Sequence, residues 1–123
     1  MIPLDVRLNN FIGAVAFAAD EELQRTVWFD KKPSLTSITS IGEFFCQFFD
    51  DNDMDGFIND ELASAPISQE RKAAILDFRA ALGPIEQLQS YRDEDDQKTA
   101  QTQEWKALVN CARLTLRRFT GAA

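Results

Sequence analysis

Trp105-Lys106-Ala107-Leu108-Val109-Asn110-Cys111-Ala112-Arg113-Leu114-Thr115-Leu116-Arg117-Arg118-Phe119 is the stretch whose reading decides the fold. Trp105, Leu108, Val109, Ala112, Leu116 and Phe119 recur at steps of one, three and four residues, which puts them on one face of a helix. Arg113, Arg117 and Arg118 fall toward its end, where cations complement the helix dipole, and Gly121 lies just beyond. One long amphipathic helix needs other helices or a sheet to cover its apolar face, so the rest of the chain decides between them.

The remaining segments carry the same period. A first helix starts near Leu4 or Asp5, with Leu8, Phe11, Ile12, Val15 and Ala19 as its stripe. Asp20, Glu21 and Glu22 suit a second helix start, continued by Leu23, Val27 and Trp28 and ended at Lys31-Lys32-Pro33; Trp28 reads as core. Ser40-Ile41-Gly42-Glu43 reads as a capping box ahead of a helix with Ile41, Phe44, Phe45 and Phe48 on one face and Phe49 at its edge. The acidic residues that follow are expected to interrupt regular structure, with Asn59 capping a short helix through Ala65 that Pro66 stops. Ser68 caps a helix with the stripe Ala74, Ile75, Phe78 and Leu82, which Gly83-Pro84 is expected to end. Pro84 then opens a short helix carrying Ile85, Leu88 and Tyr91, and residues 92–98 read as a charged, solvated connector.

No segment alternates apolar and polar residues with β-branched side chains, and no Asn-Gly hairpin signal appears. The pattern predicts an all-α fold, a single-domain bundle of about five to seven helices over residues 1–123. At 123 residues the chain is long enough to bury a core without disulfide or metal staples. Its ten Phe residues promise an aromatic core or a partly exposed aromatic surface. No run approaches the ~20 apolar residues of a membrane span. The apolar run ending Ala18-Ala19-Asp20 faintly resembles a signal-peptide core, but Asp5, Arg7, Asn9 and Asn10 make a poor positive leader, so a cytoplasmic protein is expected. Cys46 and Cys111, far apart and beside core positions, read as buried free thiols.

Charge is the uneven property. The net charge is -7, and residues 50–62 alone carry six acids and no base, whereas residues 63–123 are one charge positive. An acidic surface does not suit direct nucleic-acid binding, where phosphates need Lys and Arg, but it does suit a cationic partner. With no His in the chain, Ser-His-Asp, Cys-His and His-metal sites are excluded. No nucleophile elbow, Walker loop or dinucleotide fingerprint is present. Two carboxylates can hydrolyse glycosides, but they must be held apart in a cleft, and these acids cluster; no enzyme is expected.

Asp50, Asp51, Asp53, Asp55, Asp60 and Glu61 admit three readings. The segment resembles the calcium loop of EF-hand proteins, which implies calcium held by Asp51, Asp53 and Asp55, the Phe57 carbonyl and Glu61. Anchored on Gly56, the pattern holds through Ile58 but puts Leu62 where the last acid belongs; anchored on Glu61, it displaces Gly56. As a binding epitope, the same six carboxylates would steer a cationic protein while Met54 and Phe57 supply apolar contacts, with Phe45, Phe48 and Phe49 flanking. As a plain connector, Gly56 would permit a positive φ and the Asp side chains would make turns or cap a helix.

Small size, acidity, missing catalytic motifs and a Phe-rich helix running into an Asp-rich segment are together similar to small bacterial immunity proteins, including those of contact-dependent growth inhibition. That resemblance implies stoichiometric inhibition of a cognate protein toxin, for instance a nuclease, by covering its basic active-site surface, with no cofactor and no membrane contact. A phage-encoded inhibitor or DNA mimic differs only in its target.

Overall fold

A computed structural model describes residues 2–29 and 40–120; Lys31-Lys32-Pro33 and Gly121 lie outside the described residues. These residues form an all-α bundle with no strand among them. In chain order, α1 is Leu4–Ala19; α2, Glu21–Gln24, runs on through a π-helical turn Arg25–Phe29; α3, Ile41–Cys46, runs on through a second π-helical turn Gln47–Asp51. After α4, Met54–Asp60, come a 3-10 turn Leu62–Ser64, α5 (Gln69–Glu86), α6 (Gln89–Arg92), α7 (Asp96–Ala100) and α8 (Gln103–Thr120).

Ser40 and Ser68 cap where the sequence places them, and Asp20 caps α2 at the expected helix start. Asp20, Ser40 and Ser68 accept the backbone N–H of Leu23, Glu43 and Arg71 at 3.0, 2.9 and 3.2 Å, so each satisfies a donor the helix leaves open. Asp95 does the same for Lys98 at 3.0 Å, which turns half of the expected connector into α7.

Helix α8 packs against both α1 and α5, so its apolar face seats the bundle. Around it the core is largely aromatic. Phe11 contacts Phe48, Phe78 and Phe119 with ring centroids 6.1, 5.6 and 5.4 Å apart, and Trp105 meets Trp28 and Phe44 at 5.5 and 6.1 Å. The quadrupoles of such tilted pairs add to the area they bury. Polar groups are built into this core as well. Buried Gln24 donates to the carbonyls of Phe17 and Ala18 at 2.9 and 3.0 Å, closing the end of α1, and accepts the Trp105 indole N–H at 3.0 Å. The Trp28 indole N–H, also buried, has no partner among the described residues.

Three expectations need correction here. Helix α5 runs through Gly83-Pro84 instead of stopping. Leu82 and Ile85 on either side are fully buried, and core packing outweighs the ~3 kcal/mol that proline costs inside a helix. Asn59 is inside α4 rather than capping a helix, and residues 62–64 form only a 3-10 turn before Pro66. Both cysteines are free, but Cys46 is exposed and Cys111 partly buried, because each sits at the flank of its helix rather than on the apolar face.

Candidate partner-binding surface

The acidic segment is an elbow between two helical pieces, not an open loop. Asn52 ends the α3 unit, Asp53 takes a left-handed conformation at φ 45°, and α4 begins at Met54. Asp tolerates that backbone region better than most residues, because its short side chain satisfies itself locally. The positive φ therefore belongs to Asp53, whereas Gly56 is helical. Gly56 has a different use: a Cβ there would lie 2.5 Å from Asp53 Oδ2, so the missing side chain leaves room for the Asp53 carboxylate folded over the first turn.

Arg7 fastens the elbow. It sits on the inner face of α1 and is 3% exposed, with its guanidinium donating to the carbonyls of Asn52 and Asp53, the latter at 3.0 Å. The same group lies 4.9 Å over the Phe57 ring and 3.9 Å from Glu61 Oε2. A cation placed at the end of the α3 unit also complements its dipole. Buried Asn52 returns the contact, its Nδ2 donating to the Arg7 carbonyl at 3.1 Å. Sequence reading missed Arg7 because it traced the stripe through Leu8. The usable signal was the 4-3-4 spacing Arg7, Phe11, Ala14, Ala18, all of them buried.

On this scaffold the expected contact residues divide. Met54 and Phe57 are core, at 0% and 1% exposure, so they are not apolar contacts for a partner. Phe45 and Phe48 are buried too, and only Phe49 is half-exposed. Among the carboxylates, Asp50, Asp51, Asp53, Asp55 and Asp60 are exposed and Glu61 is half-buried. Asp55 receives a fork from Arg79, Nε to Oδ1 at 2.7 Å and Nη2 to Oδ2 at 3.3 Å. Asp50 accepts the Cys46 thiol at 3.3 Å, and that carboxylate, by the hydrogen bond first and its charge besides, pushes the Cys46 thiol above its ordinary value. Among the described residues no cation pairs with Asp51, Asp53 or Asp60.

For calcium, the backbone differs from the expected loop. The Phe57 carbonyl accepts the Glu61 N–H at 2.9 Å within the α4 cap, and among the described residues no three acids gather as a ligand set. Among the described residues no helix is long and apolar enough to cross a membrane. No family model, curated protein or solved structure matches this chain.

Proposed function

We propose that the chain is a non-catalytic acidic binding protein, an immunity or inhibitor protein that neutralises a cognate cationic toxin by covering its basic active-site surface. The observation that carries this reading is the elbow itself. Asp51, Asp53 and Asp60 stay exposed and without a cationic partner among the described residues, on a backbone that buried Arg7 and Asn52 hold in one shape. Carboxylates without an internal ion pair, carried on a backbone held in one shape, steer a cationic partner and pair with its Arg and Lys without first giving up internal partners.

The test is co-expression with the product of the adjoining reading frame, scored by growth rescue, followed by binding of the purified pair over a salt series. The expected outcome is rescue, with affinity that falls as salt rises. Changing Asp51, Asp53 and Asp60 together to Asn is expected to weaken binding by roughly 10- to 100-fold, from exposed pairs worth up to ~1 kcal/mol each. Affinity indifferent to both salt and this triple change overturns the assignment of the elbow as the contact surface.

A further inference from the structure

Asp55-Gly56 is the one place in the chain where glycine directly follows aspartate. Such a pair carries chemistry of its own. A glycine nitrogen has no neighbouring Cβ to shield it, so it can attack the γ-carbon of the aspartate before it. The N–Cγ bond forms as the nitrogen gives up its proton and one carboxyl oxygen leaves as water. Water then reopens the succinimide ring at either carbonyl. One opening returns aspartate, and the other gives isoaspartate, whose main chain runs through the former side-chain carboxyl carbon. The net change is an isomerisation: one water leaves, one enters, and no oxidant or reductant takes part.

The fold leaves one reactant free and ties the other. The first backbone bond of α4 joins the Phe57 N–H to the Asp53 carbonyl at 3.0 Å, so the Gly56 N–H lies in the open first turn, with no acceptor among the described residues. Asp55 is exposed, but its carboxyl group takes the fork from Arg79 at 2.7 and 3.3 Å, and while that fork stands it is not free to turn onto its own backbone. Asp55 also lies inside α4, and helical angles keep a γ-carbon away from the nitrogen that follows it. The ring therefore closes only when the start of α4 opens, and that start hangs on the Arg7 guanidinium through the Asn52 and Asp53 carbonyls.

We propose that Asp55 is a modification site, converted spontaneously to isoaspartate when the elbow opens, at a rate set by the Arg79 fork and the Arg7 fastening. Such segments open locally more often than the whole fold unfolds, so the reaction runs from the native state. The product carries an extra main-chain carbon between Asp55 and Gly56. That carbon displaces the Phe57 N–H from the Asp53 carbonyl, so a converted elbow does not close as before. This chemistry needs no partner and stands apart from the function proposed above.

The test follows isoaspartate at position 55 by mass spectrometry of digested protein kept at neutral pH and physiological temperature. A synthetic peptide of residues 50–61 is the unfolded reference. Expected is conversion in the native chain, slower than in the peptide. Arg79→Gln, a surface change that spares the core, is expected to speed it roughly 2- to 5-fold, and Arg7→Met by more than about 10-fold. Phe78→Ala loosens the core and spares the fastening, so it should speed conversion less than Arg7→Met does. A native rate equal to that of the peptide overturns the gating, and so does an unchanged rate in Arg79→Gln. A faster rate in Phe78→Ala than in Arg7→Met routes the reaction through global unfolding and overturns the elbow as its gate. No isoaspartate in the native chain or Arg79→Gln over the time in which the peptide converts overturns the site itself.

Discussion

The face where α1, α5 and α8 meet and the elbow at residues 50–61 are held by different physics. The first is an aromatic core in which Phe11, Phe78, Phe119 and Trp105 bury large areas and no single contact decides the geometry. The second turns on one cation. Arg7 donates to the Asn52 carbonyl, which the end of the α3 unit leaves open, and to the Asp53 carbonyl, which also accepts the Phe57 N–H of α4, and Asn52 locks it from the other side. Dispersion and hydrophobic burial are distributed and tolerant, whereas a buried polar latch is concentrated in a few atoms. The difference teaches that an acidic, exposed surface here is shaped from below by a buried base.

The largest expected effects test that contrast directly. Phe78→Ala leaves a cavity at a fully buried site and is expected to cost about 3–5 kcal/mol, on the order of 10–20 °C in unfolding temperature. Arg7→Met keeps most of the buried stem but strands the Asn52 carbonyl, while the Asp53 carbonyl keeps the Phe57 N–H at 3.0 Å. Its cost is expected at about 2–4 kcal/mol, below that of stripping one partner from a fully buried ion pair, because Glu61 is 45% exposed and rehydrates. Amide exchange sharpens the comparison. Phe78→Ala should lower protection across the bundle, whereas Arg7→Met should lower it further at residues 52–61 than elsewhere. Uniform loss in Arg7→Met would mean that the elbow has no separate fastening.

Most of the bundle is legible in the sequence because apolar periodicity and caps are local signals. The α8 stripe and the caps at Ser40 and Ser68 all fall where spacing puts them. The α5 end is misread because Gly83-Pro84 is a strong local stop, yet Leu82 and Ile85 are claimed by the core, a long-range fact. The elbow is misread for the converse reason. Its Asp and Gly residues look like a loop, but Met54 and Phe57, three apart, already mark a helical face. Arg7 and Gln24 carry no apolar signature, and only their partners, 45 and 81 residues away, explain their burial.

Gly56→Ala discriminates between the helix found and the loop expected. Were Gly56 at a positive φ, as a calcium loop or tight turn requires, alanine would destabilise. It lies instead inside α4, where alanine is favoured over glycine by roughly 1 kcal/mol. The three atoms nearest the new Cβ all belong to the Asp53 carboxyl group, the closest at 2.5 Å, and that exposed group can swing into water. The expected net is a gain of ~0.5 kcal/mol by urea unfolding, with the unfolding temperature unmoved by millimolar calcium. A loss on substitution, or a calcium-dependent rise, would restore the loop.

The smallest effect reads the elbow's geometry without perturbing its stability. Cys46 is exposed, so its alkylation rate follows the thiolate fraction. Asp50 accepts the thiol proton and repels the thiolate, holding the group above its ordinary value, so the rate should rise with pH through a midpoint higher than that of an unperturbed cysteine. Removing the charge with Asp50→Asn lowers the midpoint and speeds alkylation below it. Cys111 is the internal reference: its own rise comes first from burial, with Thr115 pulling it back, and Asp50 is not among the groups that act on it. Faster reaction at Cys46 with no change at Cys111 places Asp50 over the sulfur in solution, turned toward α3 rather than fully outward. Unchanged rates at both would mean that Asp50 swings free, leaving four unengaged carboxylates on the elbow in place of three.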